Sequence, residues 1–190
     1  MSGVVTFDTD IHHRRTVRLK GYDYTQPGAY CVTVCSYHKA AILGEIQEGS
    51  VLLSKMGRVA LDWWKRIPSK FGHVILDQYI VMPDHLHGII KIVGADPRVR
   101  PGRMSDTVPD QGAHTGAPLP KIIQWFKTMS TNEYLRILKQ DRALDSSPKL
   151  WQRNYYEHII RNETELAEIR KYIMSNPLEL SLPGAVDGLA

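Results

Sequence analysis

His85 and His87, in the run Pro83-Asp84-His85-Leu86-His87-Gly88, are the first residues whose types and spacing could do chemistry. Residues two apart in an extended strand project to one face, so the two imidazoles stand side by side while Leu86 points the other way. Such a pair can hold one divalent metal when its other ring nitrogens are oriented by partners. The same spacing also describes a hydrogen-bonded surface pair. Tyr172 and Asn176 form a second set, four residues apart near the end of a helical pattern, so a phenol and an amide oxygen share a face. The other reading there is an amphipathic tyrosine at the core edge and an asparagine serving as C-cap before Pro177. A third stretch, Trp151 to Asn162 (WQRNYYEHIIRN), interleaves aromatics with Arg153 and Arg161. That composition suits stacking on bases and pairing with phosphates of a single strand, and it also fits a half-buried strand with ordinary cross-strand aromatics. His158 is a lesser candidate for an acid or base.

These residues need elements to position them. Ala29 to Cys35 is rich in β-branched and aromatic residues after the turn Gln26-Pro27-Gly28 and reads as a strand. Ala41 to Ile46 and Ser50 to Leu52 pair as a hairpin around Glu48-Gly49. Ser54 caps a helix running to about Ile67, with Val59, Trp63 and Ile67 facing inward and Pro68 closing it. Val74 to Met82 and His85 to Ile92 read as two strands separated by Pro83-Asp84. Gly94 to Pro120, carrying Pro97, Pro101, Pro109, Pro118 and Pro120, sustains neither helix nor central strand and reads as a flexible insertion. Lys121 to Lys139 resumes helical periodicity, with Ile122, Trp125 or Phe126, Met129, Tyr134, Leu135 and Leu138 on one side. Tyr155 to Ile160 suits a strand. Asn162 and Glu165 start a final helix striped by Leu166, Ile169 and Ile173, which Asn176-Pro177 ends. Strands joined by short turns and interspersed with helices imply an α+β domain whose antiparallel sheet carries packed helices.

The chain has 190 residues, with 24 Lys+Arg against 20 Asp+Glu and 43% hydrophobic residues. That is the size and composition of one globular domain and excludes global disorder and collagen-like repeats. No apolar run approaches the roughly 20 residues that span a bilayer, so no membrane partner is expected. The first residues lack the pattern of a secretory signal, which makes the cytoplasm the expected compartment. Cys31 and Cys35, on one strand, lie too far apart for a disulfide and read as small buried apolar residues. Ile11 to Gly21 contains Arg14, Arg15, Arg18 and Lys20 and no acid, which matches the net charge of +4 for the whole chain. It is either a solvated basic tail or an arm laid on a phosphate backbone.

GAYCVTVCS, LDQYIVMPDHLHGII, WQRNYYEHIIRNE and IRKYIMSNP occur in this order along the chain. In that order they resemble the REP-associated tyrosine transposases, relatives of the single-tyrosine HUH transposases of small bacterial insertion sequences. The resemblance covers about Arg15 to Leu180 apart from the insertion, where that family is usually continuous. It implies a ferredoxin-like antiparallel sheet backed by helices, arranged as a basic arm (1–20), a catalytic domain (21–180) interrupted at 94–120, and a tail (181–190). It makes His85 and His87 metal ligands, Asn176 the amide-type third ligand of a Mg²⁺ or Mn²⁺ ion, and Tyr172 the nucleophile, with Arg170, Lys171 or the metal helping its phenol to ionise. Single-stranded, hairpin-flanked or palindromic DNA is the implied partner, bound by a monomer or homodimer, and Arg14, Arg15, Arg18, Lys20, Arg153 and Arg161 are its candidate contacts by their charge and setting. The implied activity is cleavage and rejoining of that DNA through a 5′-phosphotyrosine. A hairpin-binding protein without efficient transposition is the alternative. A zinc hydrolase using His85 and His87 would instead attack with metal-bound water.

Overall fold

A computed structural model describes residues 21–93, 117–140 and 147–179. The basic arm with Arg14, Arg15, Arg18 and Lys20, most of the 94–120 insertion and the 181–190 tail lie outside the described residues.

Strand β1 (Gly28–Cys35) is followed by the hairpin of β2 (Gly44–Gln47) and β3 (Ser50–Leu53). Helix α1 (Lys55–Lys65) and the short helix α2 (Ile67–Lys70) lead to β4 (Val74–Val81) and β5 (His85–Ile92). Helix α3 (Leu119–Gln140), β6 (Tyr156–Ile160) and α4 (Glu163–Glu179) complete the described order. Strands β4, β5, β1 and β6 lie side by side in that order, each pair antiparallel. Strand, helix, two strands, helix, strand with the first strand inside the sheet is the ferredoxin-like arrangement, so the α+β expectation holds.

Period-two alternation gives the sheet two different faces. Tyr30, Val32 and Val34 of β1 and Leu86, Ile90 and Ile92 of β5 face the main core, which also holds Ala60, Trp64, Ile122, Ile123 and Phe126. The opposite face carries Ile89 and Ile160, covered by Leu166 and Ile173 of α4, with Cys31, Ile169 and Tyr172 at the margin. His85 and His87 share this second face with Ile89. Cys31 and Cys35 form no disulfide, and burial pushes the Cys31 thiol up to about 12.

Several expectations need correction, among them the first hairpin strand, which runs Gly44–Gln47 rather than from Ala41 to Ile46. In α1 the buried side chains are Met56, Gly57, Ala60 and Trp64, one step around from Val59 and Trp63. Val59 and Trp63 still pack against that core as half-buried side chains and Ile67 is fully buried, with Trp63 meeting Trp125 of α3 at 5.7 Å and Arg66 over its ring. Pro68 does not simply close the helix but lies in the first turn of α2, where a missing N–H costs nothing. In α3, which starts at Leu119 rather than Lys121, Ser130 and Ile137 are buried where Met129 is half-buried, and Leu138 packs half-buried against the core. There Ser130 Oγ donates to the Phe126 carbonyl and accepts from Trp151 Nε1. Finally, α4 runs through Pro177 to Glu179, so Asn176 lies within the helix and is not its C-cap. The start of α4 is as expected, because Asn162 Oδ1 accepts from the Glu165 N–H at 2.8 Å.

Candidate active site

The turn between β4 and β5 sets the histidines in place. The Ser36 N–H donates to the Asp84 carbonyl and the Leu43 N–H to the Pro83 carbonyl, so two other segments pin the turn that delivers β5. From there His85 and His87 project to one face with ring centroids 4.4 Å apart. They are 5% and 3% exposed, which removes the surface-pair reading.

Each imidazole has one nitrogen engaged. His85 Nδ1 donates to the Asp84 carboxylate at 2.6 Å, and that bond holds the Asp84 carboxyl below its ordinary value. His87 Nδ1 shares a 2.8 Å hydrogen bond with Thr33 Oγ1, its cross-strand neighbour on β1. Partners on Nδ1 leave Nε2 of each ring as the nitrogen that could ligate, the usual way in which outer contacts orient metal-binding histidines. Burial, and then the neighbouring His85, push His87 down to about 3, so it is neutral near pH 7 and its lone pair is available. His85 Nε2 is shielded from solvent and has no hydrogen-bond partner.

The second set comes from α4. Tyr172 lies against His87, ring centroids 5.6 Å apart. Asn176, one turn further along, is 4% exposed, and its Oδ1 is shielded and without a hydrogen-bond partner. An unsatisfied buried acceptor costs about 1–3 kcal/mol, so each of these atoms calls for a partner. Among the described residues no three His, Cys, Asp or Glu side chains gather around a metal position. The donor set of two imidazoles and an amide oxygen suits Mn²⁺, which accepts imidazole more readily than Mg²⁺ does.

Other candidates lie apart. Arg153 and Arg161 are exposed at the two ends of β6, on the edge of the sheet away from β4. His158 is bonded to Glu165 at 2.6 Å, and the same carboxylate accepts from the Arg161 N–H. This makes His158 part of the anchoring of α4's first turn. Arg170 is turned to Asp77 and Lys171 is exposed, so Arg170 does not serve the Tyr172 phenol. Sequence reasoning missed Thr33, Asp84 and Asp77. Asp84 adjoins His85, and Asp77 is the one acid in an otherwise apolar and amide run, so both had a signal. Thr33 becomes visible only once β1 is paired with β5.

Among the described residues no helix is long and apolar enough to cross a membrane. No protein-family model matches the sequence. The fold is similar to a solved structure of a REP-associated tyrosine transposase bound to a REP hairpin. The TM-score is 0.54 at 16% identity, over 89% of this chain and 76% of that one. At that identity the likeness establishes the fold, the antiparallel sheet with helices seen in that transposase. In sequence, the chain is 36% identical over 178 residues to an uncharacterized protein of Haemophilus influenzae, an alignment spanning 90% of this chain and 92% of that one. With that identity across nearly both full lengths, this chain and the Haemophilus influenzae protein are members of one family.

Proposed function

We propose that this protein is a metal-dependent, transposase-like enzyme that cleaves and rejoins hairpin-flanked single-stranded DNA, with Tyr172 as the nucleophile. The observation that carries the reading is the convergence of two buried, outward-supported imidazoles with a tyrosine from the only helix that covers their face of the sheet, among the described residues. The two orphaned acceptors, His85 Nε2 and Asn176 Oδ1, favour a bound cation. His85, His87 and Asn176 would hold it, and a divalent ion there supplies neutralisation of the charge that develops on a phosphate under attack. All three ligands are neutral, so none of that positive charge is cancelled by the protein.

Tyr172 Oη would form a bond to phosphorus as the bond from phosphorus to the 3′-oxygen breaks. The proton given up by the phenol balances the one taken up by the departing 3′-hydroxyl. The phosphotyrosine keeps the energy of the phosphodiester, so a 3′-hydroxyl from another strand can reverse the step without ATP. His87, kept neutral by burial, and Asp84, kept ionised by His85, hold their states through this exchange. Arg153 and Arg161, with the arm residues Arg14, Arg15, Arg18 and Lys20, are the proposed phosphate contacts.

The experiment is to incubate labelled hairpin-flanked single-stranded DNA with the protein and Mn²⁺ and look for a covalent adduct on a denaturing gel. The expected result is an adduct that EDTA prevents. Binding without any adduct would favour a hairpin-binding protein, and hydrolysis without an adduct would favour metal-bound water as the attacker.

A further inference from the structure

We infer that Asp77 is the positioning residue for Tyr172, fixing the roll of α4 on the sheet; this rests on the nucleophile reading above and deepens it. Alternation along β4 puts Val74 and Leu76 on the main core and Asp77 on the face of the sheet that carries the histidines, and the register shift between Leu76 and Tyr79 places a bulge at Asp77 and Gln78. Its side chain is only 14% exposed. Arg170 of α4 grips it with two bonds, Nε to Oδ1 at 2.9 Å and Nη2 to Oδ2 at 2.6 Å. Lys91 Nζ of β5 adds a third contact to Oδ2 at 2.7 Å, and the Gln78 N–H donates to Oδ1 at 2.7 Å.

Helix geometry explains why this pair governs the tyrosine. At about 100° per residue, Arg170 and Tyr172 are about 200° apart around α4. The apolar stripe of Leu166, Ile169 and Ile173 lies between them, so Arg170 flanks it on one side and Tyr172 on the other. A narrow stripe of three aliphatic side chains attracts α4 to the sheet but resists rolling weakly, because dispersion and burial are non-directional, and the directional hold of His158 and the Arg161 N–H on Glu165 acts on the first turn, about two turns before Tyr172. A bidentate guanidinium–carboxylate pair is directional. Holding one flank through Asp77 therefore sets where the other flank places the phenol, beside His87.

The test uses the full chain with 3-fluorotyrosine at position 172 and fluorine NMR, without metal or DNA. The unmodified pairing is expected to give one resonance displaced by the His87 ring from the value in urea. Asp77→Asn is expected to move it toward the urea value while the protein still melts in one cooperative step. Arg170→Lys, which keeps the charge but loses the fork, is expected to do the same. Asp77→Glu is expected to restore most of the displacement. Lys91→Met, which removes charge without touching α4, is expected to leave the resonance in place. Should Asp77→Asn lose its cooperative melt, Arg170→Gln, at the more exposed end of the pair, carries the test. An unchanged resonance in Asp77→Asn or Arg170→Gln overturns the inference. In the adduct assay at saturating DNA, Asp77→Asn is expected to slow adduct formation by at least about tenfold with hairpin affinity unchanged. An unchanged rate overturns the inference. Absence of any adduct with the unsubstituted protein would instead overturn the nucleophile reading, and the fluorine shifts would still decide the role of Asp77.

Discussion

The hydrogen bond from Thr33 to His87 shows what a single residue contributes here. Thr33→Val keeps the shape of the side chain but leaves a buried ring nitrogen without its partner. We expect a loss of about 1–3 kcal/mol in urea unfolding and a drop of about 10–100-fold in Mn²⁺ affinity by calorimetry. The charge state of His87 gives a second expectation. Burial and then His85 lower it to about 3, whereas an unfolded histidine titrates near 6.5. Below about pH 6.5 the unfolded chain therefore takes up a proton that the folded chain refuses, and stability falls with falling pH by up to about 1.4 kcal/mol per unit until the pH nears 3. Asp84, a lowered acid, begins to lose its stabilisation only as the pH falls toward about 4, at the low end of this window and below the range of the measurement. Urea midpoints between pH 7.5 and 4.5 should show the slope, and His87→Asn should flatten it. The histidine pair and the Tyr172–Asn176 pair were legible from spacing, each as one of two readings. Their convergence was not, because it depends on a strand pairing that joins Thr33 to His87 across 54 residues and a helix contact that joins Asp77 to Arg170 across 93.

At the scale of elements, Gly88 sets how closely α1 approaches β5. A Cβ there would run into the Trp64 indole, which is fully buried. Gly88→Ala should cost about 1–3 kcal/mol, read as a lower denaturation midpoint, because neither the strand nor the tryptophan has room to give. The same contact decides which of two adjacent rows of α1 is fully buried. Val59 and Trp63 form an apolar row at i and i+4, and so do Met56, Ala60 and Trp64 immediately beside it. Periodicity alone does not choose between adjacent rows, and the choice falls to the glycine across the interface. The four strands of the main sheet are legible to within a residue at each end, since each is short and bounded by turn residues, whereas β2 starts at Gly44, three residues after Ala41. The continuation of α4 through Pro177 went the other way. A proline in the last turn forfeits one hydrogen bond, yet burial of Asn176 and Pro177 keeps the helix going.

Across the whole molecule, charge and fold separate two tasks. The sheet and α4 assemble the candidate chemistry, while the cationic surplus of the sequence sits in 11–21, ahead of the first strand. If that arm lies along DNA, replacing Arg14, Arg15, Arg18 and Lys20 by alanine should reduce the slope of log affinity against log salt by about 3 for hairpin-flanked DNA. A slope equal to that of the unsubstituted protein would remove the arm from the interface. The α+β class was legible because local pattern dictates each element, and the strand order follows from short turns together with two helical crossovers.

The most direct test of Tyr172 as nucleophile is to digest the protein–DNA adduct with trypsin and nuclease and locate the nucleotide by mass spectrometry. Cleavage after Lys171 releases a peptide that begins at Tyr172, and a missed cleavage leaves the same tyrosine preceded by Lys171. The expected result is a 5′-phosphonucleotide on that tyrosine, absent from Tyr172→Phe protein that still binds the hairpin. An adduct on any other residue, or one that persists in Tyr172→Phe, would contradict the assignment.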